Sequence, residues 1–236
     1  MSRILPILFN TEMVQAILDR RKTVTRRLIK PQHLKVLNSP YHKKHPEVED
    51  KTIIEKLCMP PCQQRDILYV RETWRMGAWD IRNQMIAFDF KDGTCGKLTY
   101  IRDRELFNRL VDQSREDARK AKCEYNGVDF VWEKGKSPCR WHPSIHMPKE
   151  AARIWLKVMD VRVERLQEMT ASESTKEGIQ LPKQYNTSER AYILKFADLW
   201  DSTIKKESIE ECGWYANPWV WVIEFERCKK PEAQSK

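Results

Sequence analysis

Nine residues constrain this chain more than any other stretch. Asp19-Arg20-Arg21-Lys22-Thr23-Val24-Thr25-Arg26-Arg27 holds five cationic side chains and two hydroxyls. Mutual repulsion makes such density unfavourable unless an anion or carboxylate answers it. A fold must either leave the stretch as a solvated surface strand or bring distant acids to it. Its flanks set its geometry. Asn10 or Thr11 caps a helix with Glu12 in the first turn, and the pairs Met13/Ile17 and Val14/Leu18 give that helix one apolar face. Thr23, Val24 and Thr25 then favour extended backbone, and Pro31 ends the unit.

The surroundings describe a basic protein with a substantial core. The 236 residues include nine Trp and carry a formal charge of +9, which favours an anionic partner, nucleic acid or nucleotide first. No run approaches the ~18 apolar residues of a membrane span, and Ile4–Phe9 is too short for an export signal. A cytoplasmic protein is expected, with its seven cysteines as reduced thiols. Cys58-x3-Cys62 and Cys139-x2-His142 have metal-ligand spacing, but neither half is a tight knuckle; buried thiols are the alternative, and no cofactor is expected.

Along the chain, Ile4–Phe9, Asp66–Trp74, Ile154–Arg165 and Trp219–Phe225 read as strands. Residues 33–60, punctuated by proline, read as a long irregular loop with at most one helical turn. Residues 75–140 read as an insertion, with a hairpin (Met85–Phe90, turn at Asp92-Gly93, Leu98–Ile101) and a charged helix around Asp103–Lys122. Pro143-Ser144-Ile145-His146-Met147-Pro148 is a proline-framed loop ahead of a short helix at Lys149–Arg153. Thr170-Ala171-Ser172-Glu173 is a capping box whose helix runs to Glu177 and stops at Gly178. Ser188 caps a further helix, and Lys229–Lys236 is a polar tail. Strands with helices lodged between them, without βαβ rhythm, predict one α+β domain over 1–236: a small mixed β-barrel with helical decoration.

Arg21-Lys22-Thr23-Val24-Thr25-Arg26-Arg27 resembles the ASCH-domain signature, Gly-Arg-Lys-Thr-x-Thr-x-Arg in its usual form. The resemblance continues through Asp66–Trp74, Pro143–Pro148, Arg162-Val163-Glu164-Arg165-Leu166, Glu177-Gly178-Ile179 and Asn217-Pro218-Trp219-Val220-Trp221-Val222. In this order the blocks are similar to the larger ASCH proteins of bacteriophages and prophages, and they span most of the chain outside 33–60 and 75–140. The resemblance implies a PUA-like barrel, a fold shared with RNA-binding domains, working in a bacterial host cell. Small bacterial members of the family remove the acetyl group from 4-acetylcytidine with a Lys, a Thr and a later Glu. By position these correspond to Lys22, Thr25 and Glu177; other members are implicated in RNA cleavage. Two departures stand out: Arg20 replaces the usual Gly, and Gln63-Gln64-Arg65-Asp66 replaces a Gly-Asp turn.

Amide hydrolysis needs a nucleophile, a base, a proton donor for the leaving amine and oxyanion stabilisation. Thr25 is the nucleophile or positions a water. Lys22 serves as base only if burial and the cations Arg21, Arg26 and Arg27 lower its pKa, while a direct pair with Glu177 raises it. Arg26 or Arg27 holds an oxyanion or phosphate. In a regular strand Lys22 and Thr25 point to opposite faces, so one shared pocket requires a bend near Lys22–Thr23. The plain alternative for Lys22 and Glu177 is an ion pair tying helix to barrel. Arg71, Glu72 and Trp74 form a candidate wall, with Trp74 stacking a base and Arg71 or Glu72 at its edge or phosphate; the alternative is a core Trp over an Arg71–Glu72 pair. Ser144 and His146 approach from the loop.

Three functions follow: an ASCH-type protein binding a nucleotide, modified nucleoside or RNA/ssDNA and hydrolysing an amide on a modified pyrimidine; a non-catalytic RNA/ssDNA reader; or a phage accessory protein that binds a host protein. None involves a membrane.

Overall fold

The computed structural model describes residues 2–182 and 188–231. Its elements in chain order are β1 (Ile4–Leu8), α1 (Thr11–Leu18), β2 (Val24–Leu28), α2 (Pro40–Lys44), α3 (Asp50–Leu57), β3 (Ile67–Arg71), β4 (Trp74–Asp80), β5 (Met85–Phe90), β6 (Thr99–Tyr100), α4 (Arg104–Lys120), β7 (Glu124–Tyr125), β8 (Phe130–Val131), β9 (Trp155–Arg165), α5 (Ala171–Lys176), α6 (Glu189–Thr203), α7 (Ile209–Cys212) and β10 (Trp219–Cys228). The fold is mixed α+β, with more than one sheet. Two compact units are present. One comprises the chain up to Arg3, Ala16–Ile67 and Leu156–Arg227; the other comprises Ile4–Gln15, Leu68–Trp155 and the chain from Cys228 on. Among the described residues no helix is long and apolar enough to cross a membrane.

The first unit is built on the strand order β9-β10-β2. β10 and β2 are antiparallel, with Val222 opposite Arg26 and Val220 opposite Leu28. Val24, Val220 and Val222 share one face by the two-residue period of a strand. They pack with Phe196, Ala197 and Trp200 of α6 and with Leu166, Met169, Ile179 and Trp214. Ser188 caps α6 by accepting from Ala191 N, as its sequence predicts. Residues 33–60 hold more helix than expected. Ser39 caps α2, with Pro40 in its first turn, and α3 buries Ile53 and Ile54. These helices are too short to show a periodic signal; the Ser39 cap and Pro40 start α2, and packing of Ile53 and Ile54 holds α3.

The second unit carries the antiparallel meander β4-β5-β6. The register of β4 on β5 shifts between Met76 and Ala78, leaving Gly77 as the extra residue of a bulge. A Cβ at Gly77 would fall 2.4 Å from Asp89 Oδ1, so only glycine admits that carboxylate. α4 buries Phe107, Leu110, Val111, Ser114 and Ala118, extending the apolar stripe into its polar half through small residues. The single strand expected over 66–74 is two: β3 ends at Arg71 and β4 starts at Trp74. The break falls at Glu72, whose N–H donates to Met147 Sδ rather than to a neighbouring strand. The short helix expected at 149–153 is a 3-10 turn over Lys149–Ala151. Residues 232–236 of the expected tail lie outside the described residues.

Candidate functional site

The cationic stretch begins where α1 stops. Arg20 N donates to Ile17 O (3.1 Å) and Arg21 N to Ala16 O (2.8 Å), the paired bonds of a Schellman end. The residue such an end places in the left-handed region is Arg20, with φ +60°. A glycine takes that conformation without steric cost, whereas Arg20 holds it against its own Cβ. α5 ends in the same manner. Its capping box is made, with Thr170 and Glu173 bonded to each other's backbone, and its last carbonyls are met beyond Glu177, where Gly178 has φ +95°. The two chain ends then lie side by side. Lys22 and Glu177 form an antiparallel bridge, and Thr23 N donates to Lys176 O at 2.8 Å. A Cβ on Gly178 would come within 2.8 Å of Ala16 Cβ and 3.3 Å of Lys22 Cβ.

This contact brings together two residues 155 positions apart. Lys22 Nζ donates to Glu177 Oε2 in a close ion pair and to the Glu177 carbonyl at 3.0 Å. Glu177 Oε1 accepts from Arg26 Nη1 at 3.3 Å. Arg26 Nη2 also pairs with Glu164 (3.2 Å) and Glu173 (3.1 Å). Those two carboxylates continue to Arg162, which in turn pairs with Asp160 and Glu224. The side chains of Lys22 and Arg26 have no solvent exposure. Burial pushes the Lys22 amine below its ordinary range; Glu177 opposes this, and Arg27 and Arg26 reinforce it. Burial also lowers the half-buried Arg27 guanidinium, again against Glu177. Arg21 lies at the rim, bonded to Asp19 and to the Gly178 carbonyl.

Thr25 is buried but belongs to a different face. Lys22, Val24 and Arg26 share one side of the extended chain, and Thr25 and Arg27 the other. Lys22 therefore meets Arg26 through Glu177, and none of the hydrogen bonds of this cluster involves Thr25. Regular strand starts at Val24, and the contacts place Lys22 with Arg26 at Glu177 rather than with Thr25. Sequence reading did not give Arg162, Glu164, Glu173 and Glu224 a place in the site. For Arg162 and Glu164 the signal was the period-two run Asp160, Arg162, Glu164, a charged face on one side of the strand.

The remaining predicted residues lie in the other unit. Glu72 is buried and bound by Arg153 at 2.8 and 2.7 Å, and Arg153 also reaches Asp92 at 2.7 Å. The expected Arg71–Glu72 pair is thus replaced. Burial raises the Glu72 carboxyl, against the pull of Arg153. Arg71 instead donates to Ile145 O and Tyr69 Oη, both at 3.1 Å. Trp74, 1% exposed, stacks on His142 with centroids 4.5 Å apart and meets Phe88 edge-on. Its ring is core, not an open platform for a base. Ser144 opens a 3-10 turn and is half-buried, while His146 is exposed.

Among the described residues no group of three or more His, Cys, Asp or Glu is placed to hold a metal. Cys58 Sγ donates to His33 O and Cys139 Sγ to Ser114 O, and burial raises both thiols. No protein-family model, curated protein or solved structure matches the chain.

Proposed function

We propose that this chain is an ASCH-type protein that binds a nucleotide or nucleic acid in the bacterial cytoplasm, its Lys22–Glu177 pair hydrolysing an amide on a modified pyrimidine such as 4-acetylcytidine. The observation that carries this reading is that pair: a buried amine with a depressed pKa, in direct contact with a buried carboxylate and a second cation. Burial favours the unprotonated amine, the form a general base requires. On this reading neutral Lys22 takes a proton from water, the oxygen adds to the acyl carbon, and the C–N bond breaks. The proton passes to the leaving exocyclic amine, giving acetate and cytidine. Arg26 or Arg27 supplies positive charge where the oxyanion develops. Thr25, on the opposite face of β2, has no part in this step.

The backbone adds support for the family resemblance. Both departures from the family pattern, Arg20 and Arg65, have φ in the left-handed region, +60° and +73°. The turns the family builds with glycine are kept here although the residues differ. The same reading takes the strands as parts of a PUA-like barrel.

The test is chromatographic assay of 4-acetylcytidine and related acylated nucleosides with wild type, Lys22→Met, Glu177→Gln and Thr25→Ala. Deacetylation by wild type and a loss of roughly 10²–10⁴ in Lys22→Met are expected. Wild type that binds nucleosides without turnover overturns the hydrolase. One observation favours the second reading, a non-catalytic RNA/ssDNA reader: the donors and acceptors of the cluster are largely spent on each other. That reading predicts binding that falls steeply with salt and no reaction.

A further inference from the structure

The second unit holds a cleft of about 1020 Å³, between the β4–β5 sheet and the segments 95–98 and 128–135. Its floor is made of small residues, Gly77, Ala78, Ala87 and Gly96, and two tryptophans line it. Trp79 and Trp132 meet edge to face with centroids 5.3 Å apart. Each indole N–H is already bonded, Trp79 to Asp129 Oδ2 (2.8 Å) and Trp132 to Gly77 O (2.7 Å), so both rings are held in place.

The charges around the cleft are unevenly satisfied. Asp129 is taken by Arg115 and Trp79, and Asp80 by Asn83. Arg82, Lys97 and Lys134 line the same cleft, are exposed, and form no ion pair among the described residues. Asp89 also lines it and is only 4% exposed. Its Oδ2 has no hydrogen-bond partner among the described residues. It is ion-paired with Arg75 Nε at 3.5 Å without hydrogen-bond geometry, the Arg75 Nη atoms are spent on Ser137 O and Gly135 O at 2.6 Å each, and the carboxylate's other close side-chain neighbour is the weak donor Cys95. A buried carboxylate oxygen without a donor is costly, and a ligand N–H would remove that cost.

We propose that this cleft is a binding site for a nucleobase with an exocyclic amino group, carried on a free nucleotide or within a strand. Its ring packs against Trp79 and Trp132, its amino N–H donates to Asp89, and its phosphates meet Arg82, Lys97 and Lys134. Cytosine, adenine and guanine all present an amino edge. Uracil presents carbonyl oxygens on both sides of its single N–H, and Asp89 repels them. The volume lies at the upper end of ligand pockets, ~300–1,000 Å³. The site is independent of the Lys22–Glu177 chemistry.

The experiment is calorimetric titration of the full chain with CMP, UMP and short oligo-C and oligo-U RNA, followed by ultraviolet crosslinking and peptide mapping. Cytosine ligands should bind about tenfold tighter than uracil ligands, with crosslinks within 77–98 or 128–135. If CMP reproduces the preference the ligand is a free nucleotide; if only oligo-C does, it is a strand. Lys97→Glu with Lys134→Glu, both at exposed positions, should weaken all ligands about tenfold or more. Asp89→Asn should abolish the cytosine preference. Equal affinity for cytosine and uracil, crosslinks confined to other peptides, full binding by the double lysine variant, or no binding at all would overturn the proposal, whether or not the hydrolase reading survives.

Discussion

Replacing Glu177 by Gln isolates what the buried carboxylate does for Lys22. The variant keeps the Lys22 Nζ bond to the residue 177 carbonyl (3.0 Å) and leaves Arg26 with Glu164 and Glu173. It removes the carboxylate paired with Lys22, and breaking a buried ion pair costs about 3–5 kcal/mol. The lower end applies here, because Lys22 can shed its proton. Burial already holds its folded pKa below the unfolded value, and losing Glu177 removes the largest opposing influence. The sign follows from linkage. A charged amine with a depressed folded pKa destabilises the native state below that pKa, and the penalty disappears as pH rises toward the unfolded value near 10.4. Gln lowers the folded pKa further. The cost of the substitution is therefore full while Lys22 is charged in both folded proteins and declines as pH rises from the variant's folded pKa to the wild-type one, at up to about 1.4 kcal/mol per pH unit. Urea titrations followed by tryptophan fluorescence from pH 6 to 9.5 measure it directly. A cost of about 3 kcal/mol where Lys22 is charged in both proteins, smaller at the alkaline end, is expected. A cost below about 1 kcal/mol at pH 6, or one independent of pH, would refute a charged Lys22 held by Glu177.

Arg20→Gly and Arg65→Gly should each stabilise the fold by roughly 0.5–1 kcal/mol in chemical denaturation, because both positions have left-handed φ. Gly178→Ala should do the reverse, by roughly 2 kcal/mol or more, since its Cβ meets Ala16 Cβ at 2.8 Å with φ at +95°. Asp66 is bound by Arg3 and by the N–H groups of Arg3 and Gln63; burial raises its carboxyl, but these partners outweigh that and hold it below the usual range. Its contribution is present above the unfolded carboxylate pKa and lost as pH falls through the folded one. Asp66→Asn should therefore flatten the acid limb of a stability-versus-pH curve.

Local rules made much of this site legible. The Thr170–Glu173 capping box, the stop at Gly178 and the cap at Ser188 are short-range chemistry, and they set Glu177 at a helix end. The cation cluster announced that acids must answer it. Which acids answered depended on long-range register: Glu164 reaches Arg26 because β9 lies beside β2's partner strand, and Glu173 because the end of α5 lies against Lys22 and Thr23, which no local pattern encodes. Trp74 stayed open between base platform and core for a similar reason: what decides is His142, remote in sequence, which covers its face. The helices within 33–60 were hidden because each is one or two turns long.

Ionic burial at this density also asks why the chain keeps it. A buried ion pair is weak evidence for stability, since desolvation offsets most of its Coulomb energy, and apolar replacements of both partners are often neutral or stabilising by about 1–4 kcal/mol. Lys22 and Glu177 have side-chain exposures of 0% and 3%, so the comparison applies in full. The double variant Lys22→Met with Glu177→Leu removes both charges and strands neither. It leaves Arg26 with Glu164 and Glu173, and it should match or exceed wild-type stability while each single variant falls below it. If the pair exists only to join α5 to the end of α1, nucleoside binding and deacetylation should survive the exchange. If it exists for chemistry, the double variant should fold well and show no turnover. A double variant less stable than both singles would refute the premise that the pair is dispensable for folding.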